Sequence, residues 1–295
     1  MGQDNKHRPG GVDWPTLGLI IMCYAGWLAA LWMAPTVLAV PLLAIIIALH
    51  ASLQHEVIHG HPFRRQWLND ALIWPPLMLI VPYARFKATH LAHHNDATLT
   101  DPYDDPETNF LDPGTWEKLP RAVQVILTWN NTLAGRLILG PAIGTIMFML
   151  GEWRIRDAIV TRGWALHIPA LIVTLWVISV APIPVWAYFT AAYLAMSLLK
   201  LRTFLEHQAH ERASGRSVII EDRGPFAFLF LNNNLHVVHH MHPGVAWYDL
   251  PALYRSHKDH YQRRNGGYVY RSYTEVFARY LWHRKDPVAH PLWRR

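Results

Sequence analysis

The chain has 295 residues, of which 52% are hydrophobic and only 16% are charged, whereas roughly 25% of the residues of an ordinary soluble domain are charged. The apolar residues form long runs and do not alternate with polar ones, which predicts one membrane domain over residues 1–295 in place of one or two soluble domains. A single cysteine, Cys23, excludes a disulfide framework and a thiolate metal site within one chain. Any bound metal must therefore use nitrogen or oxygen ligands.

The net charge of +6 does not indicate a nucleic-acid partner, because Arg and Lys lie mainly beside the apolar runs. This arrangement is typical of the cytoplasmic flanks of membrane spans. The flanking basic pairs are Arg64/Arg65, Arg85/Lys87, Arg154/Arg156 and Lys200/Arg202. The polar start, Met1 to Trp14, leads into an apolar run without an A-x-A-like cleavage site, so we expect no removable signal peptide.

The first two apolar runs, Leu17–Met33 and Val37–Leu53, are each long enough to cross a membrane core of ~30 Å at 1.5 Å per residue. The segment Ala34–Thr36 predicts a tight turn between them. Both flanks of this helical hairpin carry basic residues, which predicts that both are cytoplasmic. These residues are Lys6, Arg8, Arg64 and Arg65.

Two shorter or ambiguous segments follow. Ala71–Val81 is apolar but short and contains Pro75-Pro76, so we expect a surface-lying or re-entrant piece. Leu133–Leu150 is predicted to lie at the interface, because a span there would place the charged segment 152–162 outside the cell. The later histidines would then be separated from the earlier ones.

A second hairpin is predicted from Trp164–Val180 and Ile183–Leu199, joined by Ala181-Pro182. Lys200 and Arg202 return the chain to the cytoplasm. The predicted fold is therefore all-α and polytopic, with four transmembrane helices in two hairpins and a cytoplasmic helical cap that carries the histidines. We expect a multi-pass protein of the inner membrane with both termini cytoplasmic.

Aromatic residues near the span ends and one acidic segment suggest structural roles. Trp27, Trp186 and Tyr188 are expected to anchor the helices at the membrane interface. The acidic segment Asp101–Glu107 is expected to form an exposed loop.

The chain contains nineteen histidines, and the most informative ones form four clusters. The clusters are HEVIH at 55–59, HLAHH at 90–94, HQAH at 207–210 and HVVHH at 236–240. Residues three and four apart share a helix face, so each cluster directs two or three imidazoles to one place. Imidazole suits zinc, copper, iron and nickel. Since a single tetrahedral zinc uses three or four protein ligands, eight or nine imidazoles indicate two metals.

The three motifs HEVIH, HLAHH and HVVHH resemble the histidine boxes of integral-membrane fatty-acid desaturases and of their hydroxylase and ketolase relatives. The order of two spans, two boxes, two spans and a last box is also similar over nearly the whole chain. The resemblance implies a di-iron centre. The chain lacks the Glu and Glu-x-x-His ligand set of soluble di-iron bundles.

The resemblance also implies which residues bind the metals. The implied ligands are His55, His59, His90, His93, His94, His236, His239 and His240. A ninth ligand is expected just after the last span, where we choose His207, with His210 as the alternative and His61 as an additional candidate. Ligating imidazoles usually donate their outer N–H to a carboxylate or carbonyl. Candidates for this role, each of which also suits helix capping or solvation, are Glu56, Glu206, Asp101 and Asn232 of the Asn232–Asn234 run.

The chemistry implied by the resemblance is an oxidation that uses two ferrous ions and dioxygen. We expect desaturation of a fatty-acyl lipid chain, because the NNNL sequence before His236 is similar to that of acyl desaturases. A carotenoid ketolase or hydroxylase, which shares the H-x-x-x-H-G start, and an alkyl hydroxylase remain alternatives. No G-x-G-x-x-G motif is present, so electrons are expected from a ferredoxin-like or rubredoxin-like donor with its reductase.

Two other classes compete with this interpretation. HEVIH is also the H-E-x-x-H pattern of zinc proteases, in which two histidines bind the metal and the glutamate acts as base. A membrane zinc metalloprotease would give HLAHH and HVVHH no role. A metal transporter would require ionisable residues near the middle of its spans, which these spans almost lack.

Overall fold

The computed structural model describes residues 11–95, 97–155 and 157–293. Lys6, Arg8 and Arg156, which contributed to the charge pattern, lie outside these ranges. Helices dominate the described residues, and two short strands, β1 (Ile219–Ile220) and β2 (Val269–Tyr270), pair in parallel with Ile219 opposite Val269.

Fourteen α-helices lie within the described ranges. They are α1 (Trp14–Met33), α2 (Thr36–Ile58), α3 (Gln66–Leu72), α4 (Tyr83–His93), α5 (Pro113–Lys118), α6 (Arg121–Asn130), α7 (Leu133–Arg154), α8 (Ala158–Val180), α9 (Val185–Thr203), α10 (Pro225–Leu229), α11 (His236–Met241), α12 (Leu250–Ser256), α13 (Lys258–Arg264) and α14 (Tyr273–Tyr280).

Four helices are long and apolar enough to cross a membrane, namely α1, α2, α7 and α8. The all-α class and the number of candidate spans are confirmed. The membership differs from the prediction, because α7, expected at the interface, is a 22-residue apolar helix. Helix α9 is not one of the four, and its last turn carries Lys200 and Arg202.

The chain divides into two compact units, and the first comprises the described residues up to Lys87 together with Thr145–Leu198. Here Asp13 caps α1 by accepting hydrogen bonds from the backbone N–H and hydroxyl of Thr16, at 3.2 and 2.8 Å. Ala34 and Pro35 are extended, which reverses the chain into α2. Because α2 continues to Ile58, it carries His55 on its last turn and ends with His59 as the C-cap.

The segment predicted as surface-lying or re-entrant does not form a membrane-crossing helix. After α3 the backbone is irregular up to Pro82, although Leu77 is fully buried. Buried carbonyls require donors. The carbonyl of Leu77 accepts a hydrogen bond from Tyr188 Oη at 2.7 Å, and that of Leu79 accepts one from His167 Nε2 at 2.9 Å. These side chains stabilise the irregular segment within the first unit.

The expected interfacial role of Trp27 and Tyr188 is wrong. Both side chains are buried, and Trp27 Nε1 donates a hydrogen bond of 3.1 Å to Tyr188 Oη. The physical reason is that the Tyr188 hydroxyl is needed inside the unit as the donor to Leu77. Trp186, by contrast, is exposed, as an interfacial anchor would be.

The second unit comprises the described residues of Ala88–Gly144 and Leu199–Arg295. Its strand pair positions the last histidine motif. The N–H of Val237 donates to the carbonyl of Val218 at 3.1 Å, and the N–H of Ile220 donates to the carbonyl of Asn234 at 2.8 Å. Helix α11 is thereby fixed beside β1. Apolar residues bury this junction, including Ile219, Leu235, Val238, Leu250 and Tyr261.

Candidate metal centre

Seven of the predicted ligands belong to the second unit and form two groups of converging imidazoles. In each group, one nitrogen per imidazole lies within 4.8 Å of all the others. The four-histidine group contains His93, His207, His236 and His240. The three-histidine group contains His90, His94 and His239.

In the four-histidine group, three chain segments supply the imidazoles. His93 ends α4, His207 follows α9, and His236 and His240 lie one turn apart on α11. His207 Nε2 is 2.8 Å from His93 Nε2 and 3.0 Å from His236 Nε2. His236 Nε2 is also 3.1 Å from His240 Nε2.

In the three-histidine group, His90 lies in the last turn of α4, His94 directly follows α4, and His239 lies on α11. His94 Nε2 is 3.0 Å from His90 Nε2 and 3.2 Å from His239 Nε2. The two groups are neighbours, because the rings of His94 and His240 stack with centroids 4.4 Å apart.

These contacts fit metal ions better than hydrogen bonds between histidines. A neutral imidazole nitrogen carries either one hydrogen or one lone pair, so it can satisfy one partner along its own axis. His207 Nε2 and His236 Nε2 each face two other nitrogens. Two imidazoles at right angles on a metal with bonds of about 2.1 Å would have nitrogens about 3.0 Å apart. The observed nitrogen distances therefore suit cis ligands of a shared cation.

Neighbouring side chains contact the outer nitrogens of several imidazoles in the two groups. His93 Nδ1 is 2.7 Å from Asp105 Oδ1, His90 Nδ1 is 3.2 Å from Glu107 Oε1, and His236 Nδ1 is 3.1 Å from Asn233 Oδ1. Such acceptors favour the tautomer in which Nε2 carries the lone pair that binds a metal. The sequence motifs alone single out none of Asp105, Glu107 and Asn233.

The acidic segment was expected to be an exposed loop, and for Asp105 this is wrong because its side chain is buried. Asp105 Oδ2 accepts a hydrogen bond from the N–H of Thr100 at 2.9 Å, and this bond stabilises the carboxylate in its buried position. Asp101, the residue chosen from this segment, accepts instead from the N–H groups of Tyr103 and Asp104, at 2.8 and 3.0 Å. Several carboxylates in one short segment give no sequence signal of which one turns inward.

The other predicted acceptors take different places. Glu206 pairs with Arg202 at 2.9 Å and accepts a hydrogen bond from Asn233 Nδ2 at 3.3 Å, so Asn233 connects Glu206 to His236. The Asn232 side chain donates to the carbonyl of Trp247 at 2.9 Å. Asn233 rather than Asn232 therefore contacts an imidazole of the four-histidine group.

Of the two candidates for the ninth ligand, His207 is the one whose imidazole lies in the four-histidine group. His210 Nδ1 instead accepts from the N–H of Arg212 at 3.1 Å. The contacts that hold the segment of His207 include a bridge to Ser217 and a hydrogen bond from Lys285 Nζ to the His207 carbonyl.

In the first unit, His55 and His59 lie one turn apart at the end of α2, with ring centroids 5.1 Å apart. His61 forms a separate buried cluster with two carboxylates. Its Nδ1 is 2.7 Å from Asp13 Oδ2, and its Nε2 is 3.6 Å from Glu56 Oε1. Glu56, a predicted acceptor, thus faces His61. Burial opposes ionisation of Asp13, but hydrogen bonds from His61 and Thr16 lower its pKa.

The electrostatics of the second unit favour cation binding. Burial and neighbouring imidazoles lower the pKa of His207 and His236, so both rings are neutral, as metal ligands must be. Burial alone would lower the pKa of His93, but Glu107 and Asp105 raise it to about 9, because their negative charge stabilises a cation at this place; a bound metal would replace the proton of His93. Burial also opposes ionisation of Glu107, yet His93 and His90 hold its pKa well below the ordinary value. These carboxylates place negative charge beside the imidazoles.

Apolar helices long enough to cross a membrane, together with two groups of converging imidazoles, define an integral membrane protein with a candidate histidine-ligated metal centre. The family model of fatty acid desaturase matches residues 25–272, and the chain belongs to this family. It is also similar to the beta-carotene ketolase of Paracoccus sp. (strain N81106 / MBIC 01143), with 26% identity over 238 residues that cover 79% of each chain. The protein is therefore a membrane oxidoreductase of the desaturase and hydroxylase superfamily.

Proposed function

We propose that the protein is a dioxygen-dependent di-iron oxidoreductase that introduces a double bond into a fatty-acyl chain. The observation that supports it most directly is that His207 Nε2 and His236 Nε2 each face two other imidazole nitrogens. The family membership supports the same chemistry. Imidazole ligands in this number suit iron.

The proposed ligands follow the two groups. The four-histidine group would hold one iron, and the three-histidine group would contribute to the other. His55 and His59 are proposed as further ligands because they form the first histidine motif of the family pattern. Bound iron would supply, with dioxygen and two external electrons, the power to remove hydrogen from an unactivated C–H bond. The balanced change is R-CH2-CH2-R plus O2, two electrons and two protons, giving R-CH=CH-R and two waters.

The protein's own residues would hold and orient this centre. Asp105, Glu107 and Asn233 fix imidazole orientation through the outer nitrogens. The apolar helices would admit the acyl chain from the membrane. We propose that the histidines and both termini are cytoplasmic, since basic residues flank the apolar runs. A ferredoxin-like or rubredoxin-like donor with its reductase would supply the electrons.

A second candidate function is ketolation of a carotenoid. It is favoured by the similarity to a protein named beta-carotene ketolase over 79% of each chain. Conversion of a ring CH2 to a carbonyl would consume two O2, four electrons and four protons and release three waters. The two candidates therefore share a metal centre and differ in the fate of the oxidised carbon.

The test combines metal analysis with product analysis. The wild type and the double variant His93→Ala, His239→Ala are purified anaerobically in detergent from iron-replete cells and analysed by elemental mass spectrometry. We expect about two irons per wild-type chain and their loss in the double variant. One zinc per chain, unaffected by this change but lost with His55→Ala, would contradict the proposal and favour a metalloprotease.

Product analysis separates the two substrates. The protein is expressed in a host without acyl desaturases and in a host that accumulates β-carotene, and the lipids are profiled by mass spectrometry. Acyl chains that have lost two hydrogens, absent from the double variant, would support desaturation. Carotenoids with a carbonyl in place of CH2, with unchanged acyl chains, would establish the ketolase alternative.

A further inference from the structure

A pocket of about 300 Å³ opens on the second unit, in a region that the candidate metal centre does not include. Four cationic side chains line it: Arg223, Arg255, Lys258 and Arg271. We call this set the basic pocket. Two carboxylates, Glu221 and Asp222, also line it, so the pocket carries a net positive charge.

The two carboxylates already have partners. Glu221 Oε1 is 2.6 Å from Lys258 Nζ and accepts a hydrogen bond from Tyr254 Oη at 2.7 Å. Asp222 accepts hydrogen bonds from the N–H groups of Gly224 and Tyr273, at 2.6 and 3.1 Å. These acids therefore fix local structure, and one of them neutralises Lys258.

The three arginines remain available. Arg223, Arg255 and Arg271 are exposed, and within the described part of the chain their guanidinium groups form no hydrogen bond or ion pair. A guanidinium has five N–H donors that match carboxylates, and it is more weakly hydrated than an ammonium. Three such groups around one concavity form a surface that favours an acidic partner.

The position of the basic pocket links it to the metal centre. Asn232 and Leu235 line its wall, and Leu235 is joined by a peptide bond to His236. Consecutive Cα atoms are about 3.8 Å apart, so the wall lies one residue from a candidate metal ligand. His236 Nε2 belongs to the four-histidine group. Because electron tunnelling weakens steeply with distance, a carrier seated here would have a short covalent route to the metals.

We propose that the basic pocket is the docking surface of an acidic one-electron carrier protein, which delivers electrons along the segment from Leu235 to His236. This inference rests on the proposed oxidoreductase function. Each reduced carrier would give up one electron, so two successive dockings supply the two electrons that the reaction consumes. An anionic lipid headgroup would also satisfy the arginines, but it gives no reason for the pocket to adjoin the residue before a ligand.

The experiment reverses the three free charges with Arg223→Glu, Arg255→Glu and Arg271→Glu in the full-length, iron-loaded protein. A reduced [2Fe–2S] ferredoxin is mixed with protein, dioxygen and acyl substrate, and its second-order oxidation rate is followed by stopped-flow absorbance. Because electrostatic steering raises association rates 10- to 1,000-fold, we expect the rate to fall about tenfold or more at low ionic strength. The difference should nearly vanish at about 0.5 M salt, where charges are screened.

A matched control carries the same change in total charge at exposed positions outside the pocket: Lys118→Glu, Arg121→Glu and Arg162→Glu. We expect the ferredoxin rate of this control to stay within about twofold of the wild type, since its three residues do not line the pocket that would seat the carrier. An equal fall in both triple variants would overturn the proposal. If the triple variant fails to fold, single reversals at Arg255 and Arg271 provide the graded series, and a rate independent of salt in both would also overturn it.

Two further measurements separate the possible failures. Iron content and product formation with dithionite as reductant do not require a carrier, so their absence in the wild type would refute the proposed function and this inference with it. Retained dithionite activity with an unchanged ferredoxin rate in the triple variant would refute the docking site alone. A changed dependence on anionic phospholipid in nanodiscs, with an unchanged ferredoxin rate, would identify a lipid site instead.

Discussion

Replacing Asp105 by asparagine should weaken metal binding without changing any metal ligand. Three N–H groups converge on this buried carboxylate. His93 Nδ1 and the N–H of Glu107 lie 2.7 and 2.9 Å from Oδ1, and the N–H of Thr100 lies 2.9 Å from Oδ2. Asparagine has the same shape but only one oxygen. Whichever way its amide points, at least one N–H donor then faces an NH2 group.

The size of the effect follows from this mismatch. An unsatisfied buried donor costs about 1–3 kcal/mol, and hydrogen bonds to charged groups contribute about 1.5–3 kcal/mol. Loss of an acceptor behind a ligating histidine typically lowers metal affinity about 10- to 100-fold. We expect Asp105→Asn to lower iron affinity by about this factor, measured by competition with a graded series of chelators and elemental mass spectrometry.

The same loop offers a matched control. Asp101→Asn removes an equal charge from a carboxylate that accepts from two backbone N–H groups but from no histidine. We expect its iron affinity to stay within about threefold of the wild type, because a loop cap acts on metal binding only indirectly. Equal losses in the two variants, or wild-type affinity in Asp105→Asn, would refute the reasoning that Asp105 acts through His93.

Three further outcomes are expected from thermal unfolding in detergent. Glu152→Ala removes the carboxylate that binds buried Arg85 and should reduce the free energy of unfolding by about 3–5 kcal/mol. The double variant Arg85→Met with Glu152→Leu should recover most of this loss. Equal stability of the single and double variants would contradict this expectation. Burial lowers the pKa of His290 from its ordinary 6.5, so on acidification the unfolded chain binds a proton before the folded chain does, and stability falls as pH falls below about 6.5. His290→Gln should flatten this pH dependence of Tm. An unchanged slope would refute the attribution of the pH dependence to His290. Added Fe2+ should raise the Tm of the chelator-treated protein with concentration, since a ligand of the native state stabilises it, but should not do so with His93→Ala and His239→Ala.

The parts of the fold that depend on local sequence were predictable. Apolar runs predicted α1, α2 and α8, because hydropathy and length decide whether a helix can cross a membrane. A topology argument about where the later histidines must lie places Leu133–Leu150 at the interface, whereas helix α7 is long and apolar enough to cross a membrane. The sequence does not indicate that Tyr188 is buried, because its hydrogen bond to the Leu77 carbonyl arises only from tertiary structure.

The site shows the same division. Motif spacing identified the histidines that converge, since imidazoles three and four residues apart share a helix face. It could not identify Asp105 or Asn233, because which polar neighbour turns toward an imidazole depends on loop geometry. Nor could spacing indicate that His207, and not His210, lies in the four-histidine group, since the bridge between His207 and Ser217 is a tertiary contact.

The form of the H-x-x-H-H motif itself bears on the number of metals. At about 100° per residue, positions i and i+4 differ by about 40°, whereas i+3 lies about 60° to the other side of i. One motif therefore directs its first and last imidazoles together and its middle one apart. His90 and His94 join the three-histidine group while His93 joins the other.

The last motif repeats this division in reverse, with His236 and His240 in the four-histidine group and His239 in the three-histidine group. A single metal would bind imidazoles from one face of each motif. If that metal were bound by the four-histidine group, His239 would have no role, and if it were bound by the three-histidine group, His93 would have none. Two motifs that each give two imidazoles to one group and one to the other make a pair of neighbouring sites. This exchange supports the proposal of two metals more directly than the number of histidines does.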